Sequence, residues 1–135
     1  MLPKTRSTSY RILYADTDQM GVVYYGNYNR FYEMGRSEFV REEGFPYKRL
    51  EEQGIVMPVF SVEAKYRYPL RYDEQIRIET TVSEVPQVRM AFGHKIYNEE
   101  GGLAHEAKVV LAFLDRQTKR PVRAPEALRK LIAGL

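Results

Sequence analysis

The chain has 135 residues, 44% hydrophobic and 29% charged, with no cysteine and a net charge of +3. That length suits one domain, residues 1–135, which can bury a core without staples; the missing cysteines exclude disulfides, thiolate metal sites and a cysteine nucleophile. The charge is mild and scattered, so no nucleic-acid partner is expected; no apolar run approaches the roughly 18 residues of a membrane span, and Met1–Tyr10 lacks a signal-peptide core, so a cytoplasmic location is expected.

In chain order, Tyr10–Tyr14 is predicted as a short strand and residues 16–26 as a loop with two acids and two glycines. Residues 27–43 have helical spacing, with Tyr28, Phe31, Tyr32, Gly35, Phe39 and Val40 near i, i+3, i+4. Asn27 is the expected N-cap and Gly44 the expected stop. Gly35 costs about 1 kcal/mol against alanine in mid-helix, so a close approach to another backbone is expected there. Pro46 opens a second short helix through Glu52, with Gly54 ending it.

Strands follow at residues 55–68 and 74–85, then at 87–98 and 103–115, the last two joined across the hairpin signal Glu99-Glu100-Gly101-Gly102. Val109–Leu114 is nearly all apolar, as in a strand covered on both faces. Pro125 opens a last helix over Glu126–Ile132. Consecutive strands with tight turns and one long helix give an α+β fold: a curved antiparallel sheet wrapped around a central helix.

The unusual residues concentrate in Tyr14–Tyr28, where Asp16 and Asp18 lie between a strand and a helix start. A calcium loop is excluded because Met20 and Asn27 stand at two of its ligand positions. An aspartyl-phosphate nucleophile needs a parallel sheet and distant motifs that this chain has no room for. A third reading places a carboxylate opposite an electrophile held at a helix N-terminus, where unpaired N–H groups stabilise a developing oxyanion. Spacing alone leaves open that both acids only shape a turn.

Asp16, Asp18, Gly21, Val22, Val23, Tyr25 and Tyr28 fit the pattern Asp-x-Asp-x-x-Gly-(Val/Ile)-Val-x-(Tyr/His)-x-x-Tyr, and Tyr66–Glu74 adds a second block. The chain thereby resembles hotdog-fold acyl-CoA thioesterases of the 4-hydroxybenzoyl-CoA thioesterase type, more narrowly the YbgC-like enzymes encoded with the Tol–Pal system. The resemblance implies hydrolysis of an acyl-CoA to free acid and coenzyme A without metal or other cofactor. It makes Asp18 the nucleophile or general base and Tyr25 the donor, through its backbone N–H, to the thioester carbonyl. Gly26 and Asn27 bind substrate at the helix start, Asp16 orders the loop, and Arg89 contacts the coenzyme A phosphates. It also implies a homodimer or homotetramer.

Other residues carry less. Lys119 and Arg120, in a basic stretch near the C-terminus, are weaker phosphate candidates. His94 and His105 sit on separate strands without metal-site spacing, and are expected to be ordinary surface or sheet residues. No histidine precedes His94, which argues against the histidine–aspartate chemistry of hotdog hydratases. Tyr24, Tyr28, Tyr32, Met20 and Met57 line an acyl tunnel or fill the core. A non-catalytic acyl-CoA or acyl-carrier binding module on the same fold is the alternative function.

Overall fold

The computed structural model describes residues 1–135. A five-stranded antiparallel sheet is formed by β1 (Lys4–Arg11), β3 (Val59–Tyr66), β4 (Gln75–Val82), β5 (Arg89–Tyr97) and β6 (Leu103–Ala112), in the order β1-β4-β5-β6-β3. Helix α1 (Tyr28–Glu42) lies against β1, β4 and β5. Two short helices, α2 (Tyr47–Glu52) and α3 (Glu126–Ala133), and a small pair, β2 (Ile55–Val56) with β7 (Leu114–Asp115), complete it. The architecture is the expected α+β one.

Period-2 alternation sets the faces. Along β4, Ile76, Ile78, Thr80 and Val82 are buried, and along β5 so are Met90, Phe92, His94 and Ile96. The helix returns Phe31, Tyr32, Gly35 and Phe39 to that face. The opposite face carries a row of alternating charge across four strands, Lys65, Glu106, Lys95 and Glu79. Gly35 is where α1 comes closest to the sheet: a Cβ there would overlap Thr80 Oγ1 and press on Ile78. The expected close approach is real, although the neighbours are side chains, Thr80 and Ile78 of β4 and His94 of β5.

Several boundaries depart from expectation; among them, the strand expected over 103–115 ends at Ala112, and Leu114–Asp115 pair with β2 instead. The first strand is Lys4–Arg11, not Tyr10–Tyr14; its eight residues all pair with β4, so backbone register outweighs the absence of apolar residues from Lys4–Ser9. The segment after it turns because Asp16 captures the Leu13 N–H. The strand expected over 55–68 is broken at Pro58, which has no N–H for a ladder. Asn27 does not cap α1 through its side chain; a 3₁₀ turn, Tyr25–Asn27, runs directly into the helix. Gly44 (φ 92°) and Gly54 (φ 74°) end α1 and α2 as expected.

Candidate active site at the start of the long helix

Asp16 is fully buried. Its Oδ2 accepts from the Tyr10 hydroxyl at 2.7 Å and the Leu13 N–H at 2.8 Å, and its Oδ1 from Arg30 at 2.5 Å. Burial alone would push this carboxyl up, but the bonds from Tyr10, Leu13 and Arg30 outweigh it and hold the group below the usual carboxylate range. The Asp16 carbonyl accepts the Tyr24 N–H at 3.0 Å and the Asn27 side-chain amide at 2.8 Å. One residue therefore ties the end of β1, the loop and the helix start together.

Asp18 is different. It is half-buried, forms no ion pair, and its Oδ1 accepts only the Met20 N–H, at 2.9 Å. The backbone around it closes a tight turn, with Asp18 N–H to Val22 at 2.9 Å and Gly21 N–H to Asp18 at 3.0 Å. Gly21 takes φ 79°, which a side chain would strain. Thr17 pairs with Val23 across the turn. Asp18 thus does form a small Asx turn, and its second oxygen is left without a partner in the chain.

At the helix start, the N–H groups of Tyr25 and Gly26 donate to no backbone carbonyl. They are the unpaired first donors of the helical segment, at its positive end. Asn27 is not available in the same way: its backbone N–H goes to Tyr24 and its amide to Asp16. The donor set expected over Tyr25, Gly26 and Asn27 narrows to two residues. The Tyr24 and Tyr25 rings are exposed and lie 4.6 Å apart.

The two sequence blocks meet here. Val22 pairs with Arg71, and Val23 N–H donates to Leu70 at 2.8 Å. Tyr66, half-exposed on β3, packs edge-on against Tyr28 at 5.1 Å. Arg89 is not brought to this place. It sits at the far end of β5 with its guanidinium 3.8 Å over the Phe60 ring, at a cavity of about 650 Å³ also lined by Pro121. Ile96, across from His105 near the helix start, is seven residues away, roughly 23 Å along the strand.

His94 and His105 are sheet residues, one of the two expected alternatives; the other, a surface position, is overturned by their burial. Both are buried under α1: His105 Nε2 meets the Tyr32 hydroxyl at 2.5 Å, and His94 Nδ1 meets Thr80 Oγ1 at 3.0 Å. Tyr28 stacks on His105 at 4.2 Å, and Tyr32 on His94 at 5.3 Å. Burial drives His94 down to about 3 and His105 down to about 4, so both rings are neutral near pH 7. The signal was available in the alternation, because each histidine falls in phase with the inward residues of its strand. No group of three or more His, Cys, Asp or Glu side chains is arranged to hold a metal ion.

Residues 12–132 match the model of the thioesterase-like superfamily. The chain belongs to that family. It is 32% identical over 130 residues to the acyl-CoA thioesterase YbgC of Haemophilus influenzae, covering 96% of this chain and 95% of the relative. It is 30% identical over 118 residues to the acyl-CoA thioester hydrolase YbgC of Escherichia coli O6:H1, covering 87% and 88%. Among solved structures, the DHNA-CoA thioesterase of Staphylococcus aureus superposes with a TM-score of 0.85 at 33% identity, covering 88% of this chain and 80% of that one. The family's hotdog fold accounts for the single sheet wrapped on α1. No helix is long and apolar enough to cross a membrane.

Proposed function

We propose that this protein hydrolyses acyl-CoA thioesters, with Asp18 as the attacking or water-activating carboxylate and the Tyr25 and Gly26 N–H groups as the oxyanion donors. The observation that carries it is the contrast within one loop: Asp16 has both carboxylate oxygens occupied, whereas Asp18 is partly exposed, forms no ion pair and keeps one oxygen free. The names of relatives sharing about the whole length support the substrate class.

The chemistry follows from those groups. The thioester carbonyl oxygen points at the free N–H pair, which stabilises the charge that develops on it. Asp18 then either attacks the carbonyl carbon or removes a proton from the attacking water. Direct attack expels the coenzyme A thiolate and leaves a mixed anhydride, which water splits to the free acid and the restored carboxylate. Activated water reaches the same acid and thiol in one addition and one elimination. Arg89 contributes to coenzyme A recognition only if it approaches from elsewhere than this chain's own helix start. A second copy joined along β3 would supply that, since this edge strand exposes Val59, Phe60, Val62 and Tyr66.

Released thiol, measured over a panel of acyl-CoAs with Asp18→Asn and Asp16→Asn beside the wild type, tests the reading. Thiol release that Asp18→Asn abolishes is the expected result. Full activity in Asp18→Asn overturns the mechanism, and binding without release on every thioester favours the acyl-CoA binding module.

A further inference from the structure

A second feature of α1 lies more than two turns along from the helix start. Arg36 is buried, yet it forms no ion pair and its Nε has no acceptor. It lines a cavity of about 340 Å³ bounded by α1, α2, β2 and Leu111 of β6. The hydroxyl of Tyr47, in the same cavity, is also buried without a partner. Most of the remaining wall is apolar: Leu50, Ile55, Val56 and Met57. A guanidinium stays charged at any working pH, and a buried charge without a counter-ion is costly. Burial pushes the Tyr47 phenol up to about 12, beyond the opposing pull of Arg36, so it too is a donor near neutrality. The cavity therefore offers two donors, one cationic, beside an apolar wall, with Ser37, Glu33 and Glu51 on its remaining side.

Its position relates it to the candidate active site. Arg36 is eight residues from Tyr28, about 12 Å along the helix axis, and helical side chains lean back toward the N-terminus. Leu111 and His105 share one face of β6, and His105 touches Tyr28. Between them that face continues through Val109 and Ala107 to Val62 and Ala64 of β3, which α1 does not cover. An acyl chain starting at the Tyr25 and Gly26 donors has an apolar strip leading to Arg36.

We propose that this cavity binds a carboxylate at the far end of the acyl group, making the preferred substrates the CoA monothioesters of medium-chain dicarboxylic acids. The inference rests on the thioesterase reading. Glu33 and Glu51 lie at the same cavity, but both are solvent-exposed and outside ion-pair distance of Arg36, so they leave the guanidinium open to a ligand.

The test compares kcat/KM for suberoyl-CoA, 8-hydroxyoctanoyl-CoA and octanoyl-CoA in the wild type, Arg36→Met, Arg36→Lys and Tyr47→Phe. The expected result is a preference for suberoyl-CoA over octanoyl-CoA of about tenfold or more, the scale of a hydrogen bond to a charged group. Arg36→Met should erase that ratio, Arg36→Lys should keep part of it, and Tyr47→Phe should lower it severalfold. If Arg36→Met does not fold by circular dichroism, the Tyr47→Phe ratio decides. Equal rates for suberoyl-CoA and octanoyl-CoA in the wild type overturn the proposal, whether Glu33 or a second copy neutralises Arg36. So does an Arg36→Met variant that slows all substrates equally. If no thioester is hydrolysed, the thioesterase reading itself fails. Calorimetry then decides the cavity separately: suberoyl-CoA binding weakened in Arg36→Met more than octanoyl-CoA binding supports the anion site, and equal weakening overturns it.

Discussion

The inner and outer halves of the loop between β1 and α1 use the same residue type for opposite ends. In the inner half, Asp16 is buried and accepts from Tyr10, Leu13 and Arg30, while its carbonyl holds Tyr24 and Asn27. In the outer half, two residues later, Asp18 keeps one oxygen free beside a turn closed by its own backbone. The difference separates structure from chemistry: saturated hydrogen bonds fix a carboxylate and stop it reacting, whereas an unsaturated one can approach substrate. It also shows why the outer half needs the inner one. In the proposed reaction the Asp18 carboxylate and the Tyr25 and Gly26 N–H groups would act on one thioester, which requires the loop to hold one conformation.

Each side of that contrast can be broken separately. Asp18→Asn should lower kcat on the best acyl-CoA by about 10²–10⁴-fold while the urea midpoint stays at the wild-type value; a lost midpoint would make Asp18 a structural residue. Tyr25→Pro removes one N–H at a position whose neighbour, Tyr24 (ψ 132°), already suits a following proline. It should cost about 10²–10³-fold in kcat, with Tyr25→Phe near wild type. Equal loss in both variants would assign the effect to the Tyr25 hydroxyl instead.

Asp16→Ala should act on the other side, lowering stability by about 2–4 kcal/mol in urea titration because buried donors lose their acceptor. A stable, inactive Asp16→Ala would reverse the division of labour. Gly35→Ala gains helix propensity but should still lose about 1–3 kcal/mol from overpacking against Thr80; a more stable variant would show that the helix can lift away freely.

The gentlest effect is on pH. His94 and His105 have folded values near 3 and 4, against 6.5 unfolded. Between those values the unfolded chain binds protons that the folded one does not, so stability is complete above pH 6.5 and falls below it. The slope reaches about 1.4 kcal/mol per pH unit for each histidine. The depressed carboxyl of Asp16 acts in the same direction but only at lower pH, as the medium falls through its unfolded value of 3.8. A flat urea midpoint between pH 6.5 and 4.5 would contradict the burial of both rings.

Much of this was legible in the residues because it is local. The helix over residues 28–42, its glycine stop and the loop acids are written in short-range spacing, and the resemblance that singled out Asp18 rests on the same stretch. What stayed hidden depends on partners far along the chain. β1 forms where β4 offers a register, so Ser7, Thr8 and Ser9 become strand despite their composition. The strand alternation puts His94 and His105 on the inward face, but their partners Tyr28 and Tyr32 come only with α1, and Arg36 becomes notable only when α2 and β2 close over it. Asn27 has the composition of a cap, yet a carbonyl eleven residues earlier takes its amide.

Gly35 has one more consequence, for how such a sequence can change. A larger residue at that position requires Thr80 to shrink, but Thr80 also supplies the partner of His94 Nδ1, whose ring already leaves Nε2 without one. Replacing Thr80 alone strands a buried imidazole, and replacing Gly35 alone meets the hydroxyl. The three positions are therefore coupled: each single replacement carries a cost that a matched change at the other two would relieve.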